Sequence, residues 1–271
     1  MIASTDSARE DMDWDEVPRP DVSKLITEDD TPVDNQFSEK QMRLLTESIH
    51  ASWNPGFPFV AMANVGVYVA LNRPAIVPDV LVTTHVEPLQ DLLHQEHRAY
   101  FSWMYDGKSP DVVIEIVSNK KGGEMESKLR NYQHMGVSWY AVLDPAHYIT
   151  DQTLTVYAMS RNQCREQTEL KLGEIGLGLM LWEGEFEGVP CQWLRWCDKA
   201  GQMLLTGKDS AEVQAKRADA EAKRAASETV RATSEAMRAT SEAMRAASEA
   251  LRATAFAAKL RELGVDPDSV L

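Results

Sequence analysis

The sequence predicts an α/β fold whose sheet is at least partly parallel, followed by a long helical tail. Three observations predict it. Val112-Val113-Ile114-Glu115-Ile116-Val117 is an almost unbroken apolar run, the pattern of a strand covered on both faces. Strand, helix and strand patterns follow one another from Val112 to Leu143, a βαβ unit of about thirty residues. From Arg231 to Leu251 a seven-residue repeat takes over, the spacing of a long coiled-coil helix.

The elements can be justified in order. Residues 1–35 are acidic, carry prolines and lack periodicity, and read as a largely disordered or extended arm. Helical apolar spacing spans 38–50, with Ser38 as the expected N-cap. Val65–Leu71 reads as a strand, Asn72-Arg73-Pro74 as a turn, and Ala75–Thr83 as the next strand. Residues 85–100 are polar and expected to be helical. The apolar run at 111–118 follows. Asn119–Gly123 is a loop and Glu124–Met135 a helix, stopped by Gly136. Trp139–Leu143 is a strand closed by Asp144-Pro145, and residues 153–159 and 164–196 read as later strands and hairpins. The expected domains are the arm (1–35), a folded core (36–205) and the heptad tail (206–271). Val230, Met237, Met244 and Leu251 share one heptad position, with Thr233, Thr240 and Ala247 three residues on. That thin seam suits either a weak oligomerisation stalk or a solvated helix.

The totals restrict the function classes. The chain has 271 residues and a net charge of −14. Residues 1–39 carry 12 acidic and 3 basic residues, and residues 211–271 carry 10 of each, which leaves −5 for the middle. Such acidity opposes generic nucleic-acid binding, which draws on Lys and Arg. Three cysteines, Cys164, Cys191 and Cys197, without close pairs argue against a disulfide framework or a zinc site and suit a reducing cytoplasm. There is no apolar signal core and no run of transmembrane length, so no membrane partner is expected. Gly-rich phosphate loops and the Gly-x-Ser-x-Gly elbow are also missing.

Glu115 is the anomaly. A carboxylate inside an apolar strand is costly unless it is paired or holds a metal. Asp79 has the same setting in Ile76-Val77-Pro78-Asp79-Val80-Leu81-Val82. Two such acids side by side repel unless a cation lies between them. Mg²⁺, or Mn²⁺, takes oxygen ligands and keeps some water, so Asp79, Glu115 and the main-chain carbonyl of Ile116 form a sufficient expected metal set. Lys128 falls with Met125, Leu129 and Tyr132 on one inward helical stripe. There it would orient an attacking hydroxide or offset charge on a phosphate; its alternative is an i,i+4 pair with Glu124.

Other candidates read more plainly. Asp111 suits the opening of a strand, and Lys120 and Lys121 suit a solvated loop. His94 and His97 make a weak metal signature, and Glu47 and His50 are not expected to reach the site. Trp182, Trp193 and Trp196 read as hairpin packing rather than a base-stacking platform.

These residues carry a resemblance. Val77–Val80, Ser109–Ser118, Lys128-Leu129-Arg130-Asn131-Tyr132, Gly136-Val137 and Tyr140–Pro145 resemble the Uma-type family of proposed restriction endonucleases, in the PD-(D/E)XK nuclease superfamily. The likeness runs from about residue 28 to 200, and Lys259–Asp268 looks like tails seen on such proteins. It implies a mixed sheet flanked by helices and metal-dependent hydrolysis of DNA phosphodiesters. By position, Asp79 is the Pro-Asp acid and Glu115 the acid of the third motif element. Two residues after Glu115 stands Val117 rather than lysine, and the resemblance assigns that part to Lys128 on the following helix. The expected catalytic residues are therefore Asp79, Glu115 and Lys128, with DNA as substrate and a homo-oligomer, a dimer formed through core or tail. The rival expectation is a non-catalytic scaffold that keeps this fold and binds partners through its coiled coil.

Overall fold

A computed structural model describes residues 35–71, 73–119 and 124–264, together with Asp21 and Asp266. The acidic arm, apart from Asp21 and Asn35, and the loop at Lys120–Gly123 lie outside the described residues. The chain divides into two compact units after Lys208.

The first unit is built on a six-stranded mixed sheet. Its strands are β1 (Phe59–Ala63), β3 (Val80–Thr84), β5 (Val112–Ile116), β6 (Trp139–Leu143), β7 (Leu154–Ser160) and β8 (Gln163–Gln167), which lie side by side in that order. Only β5 and β6 run parallel; every other neighbouring pair is antiparallel. The parallel pair is the βαβ unit, crossed by a π-helical turn at Glu124–Lys128 that runs into α2 (Leu129–Met135). Gly136 ends α2 at φ +91°, a left-handed conformation that glycine adopts without Cβ strain. Val137 and Gly136 donate to the carbonyls of Tyr132 and Gln133, a Schellman closure.

Each face of the sheet has its own cover. Val80, Val82, Val112, Ile114 and Ile116 point to α1 (Gln36–Ser52) and to a long hairpin, β9 (Leu177–Phe186) and β10 (Val189–Asp198). Gln41 of α1 locks onto the main chain of Leu194 through two 2.9 Å hydrogen bonds. Leu81, Val113, Val117, Tyr140 and Val142 face the other way, onto Tyr132 of α2 and the tyrosines at 100 and 105. Burial of both faces is why β5 reads as a continuous apolar run.

Four local expectations are corrected. The strand expected at Ala75–Thr83 starts only at Val80, so Asp79 stands just before β3 and is half-buried. The N-cap of α1 is Asn35, whose side chain accepts the Ser38 N–H at 2.9 Å; Ser38 sits inside the first turn. Val65–Leu71 yields only β2 (Val67–Tyr68), which pairs in parallel with β4 (Tyr100–Phe101) outside the main sheet. Asn64 at φ +54° and the turn that closes Arg73 N–H on Ala70 confine it. Residues 85–100 form no α-helix, only a 3₁₀ turn at Gln95–His97. Pro88 disfavours helix before it, and the Asp91 side chain takes the Leu93 N–H into a local turn.

The second unit carries the tail, α3 (Gly207–Glu262), a helix of 56 residues. Its heptad residues Val230, Met237, Met244 and Leu251 are all exposed, and Arg231 pairs with Glu235 one turn on at 3.2 Å.

Candidate active site

The site begins where the β3–β5 ladder stops. Val82↔Val112, Leu81↔Val113 and Val80↔Ile114 are in register. One step further, Asp79 stands opposite Glu115, on the face shared by Leu81 and Val113. A second step would set Pro78 against Ile116, but proline has no N–H to give the Ile116 carbonyl. The Asp79 carboxylate intervenes and accepts the Ile116 N–H at 2.6 Å. Because the N–H and C=O of one strand residue share an edge, the Ile116 carbonyl lies on the Asp79 side as well.

Glu115 is almost fully buried, and each of its oxygens has a donor. Lys128 Nζ donates to Oε2 at 2.8 Å and the Tyr132 hydroxyl donates to Oε1 at 2.6 Å. The two donors are four residues apart, one helical turn. Lys128 closes the π-helical turn and Tyr132 lies in α2. Met125 and Leu129 of the same stripe pack against the tyrosine-rich cluster. Burial pushes the Glu115 carboxyl up to about 8, against the pull of the Lys128 ammonium and with a further push from the Asp79 charge. Burial also raises the Tyr132 phenol well above its ordinary value, with the neighbouring Glu115 charge adding to it. The proton on the Tyr132–Glu115 bond therefore belongs to the phenol.

The structure thus brings Asp79, Glu115, Ile116 and Lys128 together at one end of β3 and β5. The side chain of Glu124, the alternative partner of Lys128, lies outside the described residues. Asp111 opens β5: its carboxylate accepts the Thr84 N–H and hydroxyl and pairs with Lys108 at 3.1 Å. Lys120 and Lys121 also lie outside the described residues. His94 is exposed at the N-cap of the 3₁₀ turn and His97, half-buried, closes it, with Nδ1 against the Asp91 carbonyl. Glu47 accepts the Gly207 N–H and His50 stacks on Phe59, both from α1 on the opposite side of the sheet. Trp193 and Trp196 are buried in the hairpin packing, and Arg195 lies over the Trp182 ring.

Two residues that touch or flank this strand end were not singled out from sequence. Tyr132 was placed on the inward stripe, but its bond to Glu115 was not foreseen; the four-residue step from Lys128 was the available signal. Asp144, fully buried at the end of β6, accepts the N–H groups of Tyr148, Ile149 and Thr150 and fixes the following loop. The Asp-Pro pair that closes the strand hinted at such a turn.

The donor set is all oxygen, which suits a hard divalent cation. Among the described residues no group of three or more His, Cys, Asp or Glu side chains is placed to hold a metal ion. A cation here would rest on two carboxylates, one main-chain carbonyl and water. A mixed sheet flanked by helices, with paired acids at the ends of adjacent strands, defines the restriction-endonuclease-like class. The sequence profile of the Uma2 family, described as "Putative restriction endonuclease", matches residues 16–183, and the chain belongs to that family. Nucleases of this class generally use a divalent metal and act on DNA. No curated protein matches the chain. Among the described residues no helix is long and apolar enough to cross a membrane.

Proposed function

We propose that this protein is a metal-dependent endodeoxyribonuclease in which Asp79, Glu115 and the Ile116 carbonyl hold Mg²⁺, or Mn²⁺, and Lys128 assists the reaction. The observation that carries the reading is the juxtaposition of Asp79 and Glu115 one register step beyond a broken ladder, with Lys128 on Glu115. Glu115 is buried and Asp79 beside it half-buried, and two facing carboxylates of this kind are costly without a compensating cation. When bound, the cation supplies positive charge beside the scissile phosphate. Asp79 is held in place by the Ile116 N–H. Glu115 is held from two sides in a site shielded from water, where charge acts strongly. Lys128 is one-third exposed, so its ammonium can face both Glu115 and a phosphate at the rim, where it offsets charge that develops in the transition state.

Plasmid nicking with Mg²⁺ or Mn²⁺ tests this. The parent should cut, and Asp79→Ala and Glu115→Ala should lower the rate about 10³-fold. An inactive parent, or two variants as active as the parent, would favour a second reading. In that reading the nuclease fold is a non-catalytic scaffold that joins partners through its tail. The net charge of −14 supports the scaffold, since it opposes DNA association. In the first reading the protein forms a dimer through its core or tail, and both readings assign the protein, with its three free thiols, to the cytoplasm.

A further inference from the structure

We propose that Tyr132 is a positioning residue for Glu115, which anchors Oε1 and leaves Oε2, the oxygen Lys128 bonds, as the one open to exchange with a divalent cation. The inference rests on the cation site proposed above and assigns its two carboxylate oxygens different roles.

The two donors differ in what they can give up. Tyr132 is fully buried, its ring packed beside Tyr140 at 5.3 Å between centroids. Its place is set by the Schellman closure of α2, in which its own carbonyl accepts the Val137 N–H at 3.1 Å. The hydroxyl so enclosed donates to Oε1 at 2.6 Å. Were it to leave Oε1, both atoms would be buried without a partner, which is unfavourable for each. Lys128 differs in every respect. Its side chain is one-third exposed and flexible, and it extends from a π-helical turn rather than from a regular helix. An ammonium can exchange a carboxylate for water or a phosphate at small cost. Asp79 accepts the Ile116 N–H, and the Ile116 carbonyl shares that strand edge, so a cation held by Glu115 would find further oxygens from these two residues. Lys128 therefore holds Oε2 until a cation replaces it, while Tyr132 keeps the plane of the carboxyl group fixed. Partners of this kind, one bond removed from a metal ligand, orient it and change its affinity for the metal.

The test is Tyr132→Phe in the full chain, which keeps the ring and removes the hydroxyl. Metal-stripped protein is titrated with Mn²⁺ and the melting temperature gives the dissociation constant. Tyr132→Phe should weaken Mn²⁺ binding about 10- to 100-fold. Nicking by the same variant should show a lower kcat with the KM for DNA unchanged. Tyr157→Phe, whose hydroxyl faces the Met125 sulfur, should bind Mn²⁺ like the parent. If Tyr132→Phe lowers the melting temperature of the stripped protein but leaves the Mn²⁺ dissociation constant unchanged, Tyr132 is structural and the proposal is overturned. If the parent itself shows no Mn²⁺-dependent shift, the cation site fails first and this proposal falls with it. If Tyr132→Phe does not fold, 3-fluorotyrosine placed at position 132 of the full chain decides, since its more acidic phenol is a stronger donor to Oε1. A changed Mn²⁺ dissociation constant supports the proposal, and an unchanged one overturns it.

Discussion

Lys128 reaches Glu115 at 2.8 Å from the other side of the β5–α2 gap, and the two partners of this ion pair are unequally buried. Glu115 is almost fully buried, whereas Lys128 keeps part of its side chain in solvent. Breaking such a pair from the lysine side leaves a buried carboxyl without its counter-charge. In Lys128→Met, Glu115 should hold its proton to a higher pH than in the parent, because the Lys128 charge pulls it down. A cation must displace that proton. Mn²⁺ binding by this variant should therefore be weaker at pH 7 and recover towards parent affinity near pH 9. Nicking should fall about 10²-fold or more. Calorimetric titration at the two pH values measures the first effect, and equal affinities at pH 7 would remove Lys128 from the site.

Stability without metal should depend on pH in the sense opposite to that of an ordinary salt-bridged acid. In the fold Glu115 keeps its proton up to about pH 8, while its ordinary value is 4.5. Between those limits the folded chain holds a proton that the unfolded chain has lost, so stability falls as pH rises. The contribution is fully present below pH 4.5 and is lost as pH passes through 8. Urea melts in chelator from pH 4.5 to 9 should show this fall in the parent. Glu115→Gln cannot titrate, and its melts should have a flatter slope over the same range. Near pH 8.5 it should be at least as stable as the parent, although inactive. Identical slopes for the two proteins would show that the carboxyl is not held in this way.

How much of this arrangement sequence carries depends on the range of the interaction. Glu115 stood out because a charged residue broke a strand pattern, a local signal. Lys128 was legible through helical spacing on the stripe it shares with Met125, Leu129 and Tyr132. Gly136 marked the helix end for the same reason. What was not legible came from contacts between distant segments. The bond from Asp79 to the Ile116 N–H spans 37 positions and depends on β3 meeting β5 with Pro78 at the break. The stretch at 85–100 misled because its polar composition gives no sign that Asp91 and Pro88 turn the backbone locally. The cap of α1 moved from Ser38 to Asn35 because either side chain can fill that role, and only the start of the helix decides.

Asp79 joins two functions that a single substitution can separate. Its carboxylate caps the Ile116 N–H and its charge acts on Glu115. Asp79→Asn retains an oxygen for the N–H and removes the charge. Its melting curve should lie within about 1 kcal/mol of the parent, the scale of one neutral hydrogen bond. Nicking and Mn²⁺ binding should nonetheless be lost. Asp79→Ala should lose the cap too and be less stable than Asp79→Asn. Chemical denaturation of both variants, alongside Mn²⁺ titration, checks the order. Full Mn²⁺ affinity in Asp79→Asn would exclude a ligand role for this residue.

The tail gives a prediction that does not depend on the chemistry of the core. A 56-residue helix with exposed Val230, Met237, Met244 and Leu251 places one large apolar side chain every seven residues. On a straight helix that row drifts by about 20° per heptad, so it stays in contact only with a partner wound around it in a left-handed supercoil. An identical helix satisfies the spacing with the same row. Thr233, Thr240 and Ala247 fill the other seam position with small or polar groups, which limits the gain per heptad, so an association through this row should be weak. Light scattering of the full chain should therefore show a mass that climbs from one copy towards two as concentration rises. Met237→Lys with Met244→Lys sets like charges against each other across the seam and should hold the mass at one copy. Circular dichroism of the double variant should show reduced helix content at high concentration, because the tail loses the partner that supports it. A parent that stays monomeric throughout would leave α3 as a solvated helix held by its own Arg–Glu pairs.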